Sequence, residues 1–469
     1  MLQLSKFTKI VATIGPATED EETIQKLIEA GMNVARFNTK HSNPAWHQER
    51  IARVRKVAKR MGVSVATLLD LQGPEIRINL PDEKPFELQD GETVTFTADE
   101  KVAADKKVII PTNVVDTLQV GNLVLLDDGF CEFEVVETHS NRLILKSLGK
   151  CTVKHRKTMN IPGITIDMPA LVPADYDQLD GVTKESLVDF VGLSFVRNKN
   201  DIEFLRQELK KRNIAAKIVA KIETQAALDN LEEVITASDA VMVARGDLGV
   251  EVPYQELVFW QRKIINICRV QGKPVIVATQ MLKSMVEYPR PTRAEVSDVA
   301  HAIYDGTDAV MLSEETTIGD YPVKAVKTQA TIAAFNEKFV DHAIALEEND
   351  DKTEIITRSA VIIANHKHLG VDAIVCLTRS GRTAYLISRL RPSIPIIAIT
   401  PDLDTWHYLS LSYGVTPLFT KQPIKPNSHD TVAFLEKNGV VQSGERLLVV
   451  HGIHVDSGYT NALAIITVD

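Results

Sequence analysis

The chain has 469 residues, of which 44% are hydrophobic and 25% charged, and its net charge is −9; that mixture is ordinary for a globular protein, with room for roughly two or three domains. The acidic balance excludes a general nucleic-acid role, no apolar run approaches a membrane span, and the N-terminal stretch MLQLSKFTKIVATIGP lacks the apolar core of a signal peptide. Four scattered cysteines, Cys131, Cys151, Cys268 and Cys376, share no metal-binding spacing and read as reduced thiols of a cytoplasmic protein.

Strand-like apolar runs alternate with helical patterns from the start. Residues 9–15 predict a first strand. Thr18 with Glu21 predicts a capping box for a helix whose apolar face is Ile24, Leu27 and Ile28, stopped by Gly31. Residues 33–38 are a second strand. Asn43-Pro44 opens the next helix with proline at its first position; Ile51, Val54 and Ala58 point inward and Gly62 ends it. Residues 64–71 are a third strand. From about residue 74 to 157 the rhythm breaks into short alternating β segments at 93–97, 123–126 and 130–136, with Asp128-Gly129 as a hairpin signal. This predicts a small all-β domain inserted after the third strand. The α/β rhythm resumes near Pro162, with strands at 189–195, 217–223, 240–247, 274–280 and 308–314, and a second capping box at Thr292 and Glu295. Three strands and five make eight, the count of a closed (β/α)8 barrel. Residues 341–354 are polar and acidic, a linker. Beyond them a smaller α/β unit is expected, with strands near 373–378, 394–400, 415–419, 446–450 and 463–468. The expected division is 1–73 and 159–342 for the barrel, 74–158 for the insertion and 343–469 for the C-terminal domain.

The densest chemistry lies between residues 215 and 251. Lys221 and Glu223 are two apart on one strand and share a face, while Asp247 ends the neighbouring strand in Arg245-Gly246-Asp247. One ammonium and two carboxylates thus converge where such sheets bind ligands. Two hard oxygen ligands suit Mg²⁺, which keeps waters and takes substrate oxygens for the rest, and the lysine would neutralise a transferring phosphoryl group. A salt bridge between strand ends is the plain alternative. Gly246 and Gly249, which let backbone approach a ligand, favour function. Other strands also end in chemistry: the second in Arg36 and Asn38, the third in Asp70, the seventh in Thr279. Near the C-terminus, Thr378-Arg379-Ser380-Gly381-Arg382-Thr383 lies between a strand and a helix. Its hydroxyls, free N–H groups and arginines make a phosphate site, against the alternative of a cap on a polar turn. The opposing loop 451–461, with Gly452, Ser457 and Gly458, is placed to close over a ligand.

The segments KIVATIGPAT, GMNVARFN, GPEIR, MVARGDLGVE, ATQMLKSM, PRPTRAEVSDVA and DGTDAVMLSEET resemble the pyruvate kinase family, and the resemblance runs over nearly the whole chain. It implies a TIM barrel with an inserted small β-barrel lid and a C-terminal α/β regulatory domain built on a mostly parallel sheet. It implies phosphoryl transfer from phosphoenolpyruvate to ADP, giving pyruvate and ATP in the last step of glycolysis, and a homotetramer. Carried over by position, Glu223 and Asp247 would hold Mg²⁺ (or Mn²⁺), Lys221 would stabilise the phosphoryl group in flight, and Arg36 would clamp the phosphate. The backbone of Gly246 and Asp247 would hold the substrate carboxylate beside Thr279, which also stands where a water protonating the enolate would be oriented. Asn38, His41, Arg77 and, from the lid, Lys157 match nucleotide-contacting positions. Asn38 as a turn cap and His41 as an ordinary surface histidine are the alternatives. The loop 378–383 would take the phosphate of a sugar-phosphate effector.

The chain also departs from the pattern. The usual Asn-Phe-Ser-His-Gly is here Asn38-Thr39-Lys40-His41-Ser42, and the Thr after Asp70 is Leu71. Two oxygen ligands of the family's K⁺ site are therefore replaced, leaving Asn38 and Asp70. Lys40 and K⁺ should exclude each other, because two unit charges about 4 Å apart cost roughly 4 kcal/mol at an intermediate dielectric. The expectation is that the Lys40 ammonium replaces K⁺. Glu75 points the other way, since K⁺-independent members usually carry Lys there. A Lys40 turned to solvent beside a degraded site is the alternative. Glu314 replaces a usual Gly and adds charge and bulk at the eighth strand's tip; Gln72 replaces a frequent Lys. The altered cation site and Glu314 are the only support for a non-catalytic effector-binding paralogue, and the retained Lys221, Glu223, Asp247, Arg36 and Thr279 argue against it. A barrel enzyme acting on phosphoenolpyruvate or pyruvate by another route is disfavoured by the lid and the regulatory domain.

Overall fold

The computed structural model describes residues 6–183, 187–340, 351–425, 428–452 and 460–469. Eight strands form a closed ring: β1 (Lys9–Thr13), β2 (Val34–Asn38), β3 (Ala66–Asp70), β4 (Phe190–Leu193), β5 (Lys217–Ile222), β6 (Ala240–Ala244), β7 (Val275–Ala278) and β8 (Ala309–Leu312). Every pairing is parallel, and β8 closes on β1 with Lys9 opposite Ala309. The strands read as unbroken apolar runs because both faces are covered. Inward side chains such as Val11, Leu68, Met242 and Met311 fill the interior, and outward ones such as Phe37, Leu69 and Val243 pack under the helices.

The strands are one to three residues shorter at their ends than predicted. The largest difference carries function: β6 stops at Ala244, and Arg245, Gly246 and Asp247 open a short helix instead of ending a strand. Two local predictions change as well. Helix α1 (Glu21–Ala30) is capped by Asp20, whose side chain accepts from Thr23 N at 2.9 Å. Thr18 is fully buried and is consumed elsewhere, accepting from Gly15 N and donating to Thr316 O at 2.9 Å. Its capping box with Glu21 therefore does not form. Helix α2 (Pro44–Met61) starts and stops as the sequence indicates: Asn43 caps it, Pro44 is its first residue, and Gly62 takes the left-handed conformation that closes it.

The insertion pairs as a six-stranded and a two-stranded sheet around one core containing Leu88, Phe96, Phe133 and Leu145. Its hairpin sets Leu126 opposite Cys131. The turn between holds Asp127, Asp128 and Gly129 at φ of 54°, 57° and 86°, a conformation that Asp and Gly tolerate best. The barrel's short helix is α3 (Arg245–Glu251); further along the chain, the capping box of α4 (Arg293–Tyr304) is present with both bonds made, Thr292 Oγ1 with Glu295 N and Glu295 Oε2 with Thr292 N.

Of the expected linker, residues 341–350 lie outside the described residues. Residues 351–354 are not linker: Asp351 caps α5 (Lys352–Ala364), accepting from Thr353 N at 2.8 Å. The C-terminal sheet orders β9 (Ala373–Leu377), β10 (Ile396–Thr400), β11 (Val415–Phe419), β12 (Arg446–His451) and β13 (Ala462–Thr467) as β11-β10-β9-β12-β13, parallel except for the last. Helix α6 (Arg382–Ser388) follows β9. This unit plugs the barrel floor. Tyr408 and Leu411 join the barrel-interior cluster, and Arg391, 1% exposed, donates to both carboxylate oxygens of Asp308 at 3.1 and 2.8 Å. Among the described residues no helix is long and apolar enough to cross a membrane.

Candidate active site

The opposite end of the barrel, where the strands finish, gathers buried charge. Arg36 at the end of β2 donates through Nε to Asp70 Oδ2 at 2.7 Å and through Nη1 to Thr13 Oγ1 at 3.0 Å. Asp70 ends β3 and also lies 3.4 Å from Lys221 Nζ. Lys221 ends β5; its Nζ lies 2.7 Å from Glu223 Oε1 and donates to Ser194 Oγ at 2.7 Å. The Ser194 hydroxyl in turn donates to Leu71 O at 2.8 Å. The predicted pairing of Lys221 with Glu223 on one face is thus present. Burial works against the Lys221 charge, but Asp70, Glu223 and Asp247 outweigh it and raise its pKa above the ordinary lysine value. Burial likewise raises Asp70, yet Lys221 and Arg36 prevail and hold its carboxyl low. Glu223 goes the other way: burial and the neighbouring Asp247 raise it despite Lys221.

Helix α3 brings the second carboxylate. Gly246 faces Thr279, since a Cβ added at Gly246 would stand 3.6 Å from Thr279 Cγ2. Thr279 and Gln280 hold φ of 73° and 54°, which is costly for a β-branched threonine. Arg245 supports this bend. It donates to Thr279 O at 2.7 Å and Ala278 O at 3.2 Å, and is itself clamped by Asp298 at 2.6 and 2.7 Å. Sequence reasoning assigned nothing to Arg245 or Ser194. The strand-tip rule applied to β4 would have found Ser194; Arg245 was visible only as the charge beside Gly246.

Two residues fit a divalent cation. Glu223 turns Oε1 to the Lys221 ammonium at 2.7 Å and accepts from Phe195 N at 2.8 Å through Oε2, and the Asp247 carboxylate makes no hydrogen bond or ion pair among the described residues. No cluster of three or more His, Cys, Asp or Glu side chains forms a cage there among the described residues. Two carboxylates and open positions suit an ion that keeps waters and binds substrate oxygens.

The lid side is wired differently. Lys40 turns inward, not to solvent. Its Nζ lies 3.1 Å from Glu75 Oε1 and 5.6 Å from the centre of the Phe195 ring, and its side chain is 21% exposed. Glu75 also binds Arg77 at 2.7 Å, so it bridges the two cations. Leu71 is fully buried in the barrel core. Asn38 Oδ1 accepts from Lys40 N at 3.2 Å, the turn-cap alternative made real. His41 is exposed; its backbone N–H donates to Asn38 O at 3.3 Å and its carbonyl meets His47 Nε2 at 2.8 Å. Lys157 stays within the lid, 2.7 Å from Asp127 Oδ1. The hairpin also brings Asp128 over the site: burial, then Asp247, raise its pKa. Glu314 is half exposed and ion-pairs with Lys283.

In the C-terminal unit, the loop after β9 is a tight turn. Thr378 Oγ1 accepts from Gly381 N at 3.0 Å and Thr383 Oγ1 meets Thr460 Oγ1 at 2.6 Å. Arg382 ion-pairs with Asp351, while Arg379 engages Thr405 through its carbonyl and Ser380 is exposed. Of the opposing loop 451–461, residues 453–459 lie outside the described residues.

Comparison with known proteins follows the same outline. The family model for the pyruvate kinase barrel domain matches residues 5–326, and that for the pyruvate kinase alpha/beta domain matches residues 354–466. The chain is 41% identical over 467 residues to a pyruvate kinase of Staphylococcus saprophyticus, covering 97% of this chain and 79% of the relative. It is likewise 41% identical to one of Staphylococcus aureus, covering 98% and 80%. The crystal structure of a pyruvate kinase from Cryptosporidium parvum superposes with a TM-score of 0.92 at 33% identity, covering 99% of this chain and 97% of that one.

Proposed function

The chain belongs to the pyruvate kinase family, and we propose on that premise that it transfers the phosphoryl group of phosphoenolpyruvate to ADP, giving pyruvate and ATP. The observation that carries the reading is the buried Lys221 ammonium, held at one point by Asp70, Ser194 and Glu223. Phosphoryl transfer asks mostly for positioning and charge compensation, and this group is preorganised for both. Glu223 and Asp247 hold Mg²⁺, or Mn²⁺ in its place, which when bound supplies charge compensation to the substrate oxygens. Arg36, fixed by Asp70 and Thr13, clamps the phosphate. The N–H groups of Gly246 and Asp247 open α3 with no partner inside the helix and receive the substrate carboxylate beside Thr279. Thr279 Oγ1 orients the water that protonates the enolate. Asn38, His41, Arg77 and Lys157 receive the nucleotide, Lys157 exchanging Asp127 for a phosphate. Losing one preorganised electrostatic group costs on the order of 10²–10³ in rate. Lys221→Met is therefore expected to lose at least that in turnover with an unchanged circular dichroism spectrum; wild-type turnover would sink the assignment.

We further infer that Lys40 supplies the monovalent charge. The support is its inward position beside Glu75 and its electrostatic reach to Asp70 and Glu223. Glu75, which in the sequence argued against replacement, is the partner that holds the ammonium in place. The enzyme is expected to turn over with Mg²⁺ in tetramethylammonium buffer and to gain little from added K⁺. Silence until K⁺ is added would discard the idea. The loop 378–383 is assigned to the phosphate of a sugar-phosphate effector, and the protein is assigned to the cytoplasm as a homotetramer. Light scattering on the purified protein tests the assembly.

A further inference from the structure

The chain leaves the tip of β4 through Ser194 and Phe195, and this bend meets the buried charges on one side and the lid's attachment on the other. On the inner side, Ser194 Oγ accepts from Lys221 Nζ at 2.7 Å and Phe195 N donates to Glu223 Oε2 at 2.8 Å. Phe195 holds a φ of 55°. That is the left-handed region, which a bulky side chain keeps only where its surroundings over-determine it.

Much of what surrounds Phe195 belongs to the two crossings between barrel and lid. Gly73, just ahead of the insertion, passes so close that an added Cβ would stand 2.9 Å from Ser194 Cβ and 3.2 Å from Phe195 Cδ2. Two residues on, Glu75 holds the Lys40 ammonium, which lies 5.6 Å from the centre of the Phe195 ring, within cation–π reach. The returning segment is gripped by the same loop. Arg197 Nη1 donates to Met168 O at 2.7 Å, and Asp201 fixes the guanidinium at 3.1 and 2.8 Å. Phe195 also walls, with Glu75, Ile164 and Asp247, a cavity of about 100 Å³ between lid and barrel.

We propose that Phe195 is a positioning residue that couples the seating of the lid to the orientation of the Glu223 carboxylate, and through it to the affinity for the divalent cation. The inference rests on the reading of Glu223 and Asp247 as the ligands of that cation. The ring packs on Gly73 and faces Lys40, which keeps the backbone bent. The bent backbone aims the N–H at Glu223 Oε2, and a ligand oriented from behind binds its ion more tightly. A shift of the entering segment removes the ring's support, and the carboxylate loses its anchor. Phe195 thus acts through Glu223, not on the substrate.

Calorimetric titration of the full-length protein with Mn²⁺ tests this without turnover. Phe195→Leu keeps the backbone N–H and the apolar bulk but removes the aromatic face. It is expected to weaken Mn²⁺ binding by roughly tenfold or more with the thermal midpoint nearly unchanged, and Phe195→Tyr is expected to restore the wild-type affinity. Gly73→Ala crowds Ser194 and Phe195 from the lid side without touching a ligand oxygen, and is expected to weaken binding as well. The double variant is expected to lose less than the product of the two single losses, because both act through one contact. In steady state the Phe195→Leu loss is expected mainly as a raised half-saturating Mg²⁺ concentration, with kcat at saturating Mg²⁺ changing less. Unchanged Mn²⁺ affinity in Phe195→Leu overturns the proposal. Weakened binding in Phe195→Leu beside an unaffected Gly73→Ala overturns the coupling to the lid. Failure of the wild-type protein to bind Mn²⁺ overturns the cation reading itself, and this inference with it.

Discussion

At the scale of single residues, the site depends on groups that support the reacting ones. Thr279 holds a φ of 73°, a conformation a β-branched residue keeps only when its surroundings over-determine it. Arg245 provides that constraint through the carbonyls of Ala278 and Thr279, and Asp298 fixes Arg245 in turn. A displacement of about 1 Å at a reacting geometry can cost on the order of 10²-fold in rate. Arg245→Met is therefore expected to lower kcat by roughly 10- to 100-fold while the far-ultraviolet spectrum is retained. Steady-state kinetics decide it, and an unchanged kcat would show that the bend at Thr279 stands without Arg245. The same scale explains the departures at Lys40 and Leu71. One brings a fixed cation to the rim through Glu75, and the other turns a polar position into barrel core.

Among the elements, helix ends show how local signals compete. Thr18 and Asp20 both offer an oxygen ahead of α1. Asp20 wins because Thr18 is drawn into the interior to serve Gly15 N and Thr316 O. Replacing a cap side chain by Ala typically costs about 1 kcal/mol. Asp20→Ala is expected to loosen the first turn of α1, read as faster hydrogen exchange at the amide of Thr23, with little change elsewhere. Unchanged exchange there would remove Asp20 from the cap. At Thr292 and Glu295 the box forms as the pattern indicates even though Glu295 also accepts from Ser284 N and Oγ, because one carboxylate can take several donors. The end of β6 is the functional instance. The chain turns directly from β6 into α3, which presents backbone N–H groups and Asp247 together.

On the scale of the whole molecule, the C-terminal unit is locked to the barrel floor by buried polar groups. Arg391 is paired with Asp308, and half-buried His407 stands against Ser64 Oγ at 3.4 Å and packs at a tilt against Trp406. Burial lowers the His407 pKa from 6.5 to about 4, with Asp189 opposing and Arg55 reinforcing the shift. The folded state thus refuses a proton that the unfolded chain accepts below about 6.5. The stability from keeping His407 neutral is whole above that pH and is lost as pH falls from about 6.5 to about 4. His407→Gln is expected to flatten this part of the stability profile, measured by denaturant midpoints between pH 7 and pH 4 buffers, which bracket the range. An equally steep profile in the variant would exclude His407 as its source.

Much of this was legible in the chain alone. Alternating apolar runs and helical stripes specify eight parallel strands and an inserted β unit, because burial on both faces leaves no other pattern. The tips carrying Arg36, Asp70, Lys221, Glu223 and Thr279 follow from that count. Three things were decided only by tertiary structure. Lys40 meets Glu75 from 35 residues away along the chain, and Arg245 reaches Thr279 across a neighbouring strand. The cavity between the barrel floor and the C-terminal unit, lined by Lys217 and Arg389, exists only where the two surfaces meet. Periodicity reports which face of an element is apolar; it carries no information about which distant polar group will be close enough to compete for a hydrogen bond or an ion pair.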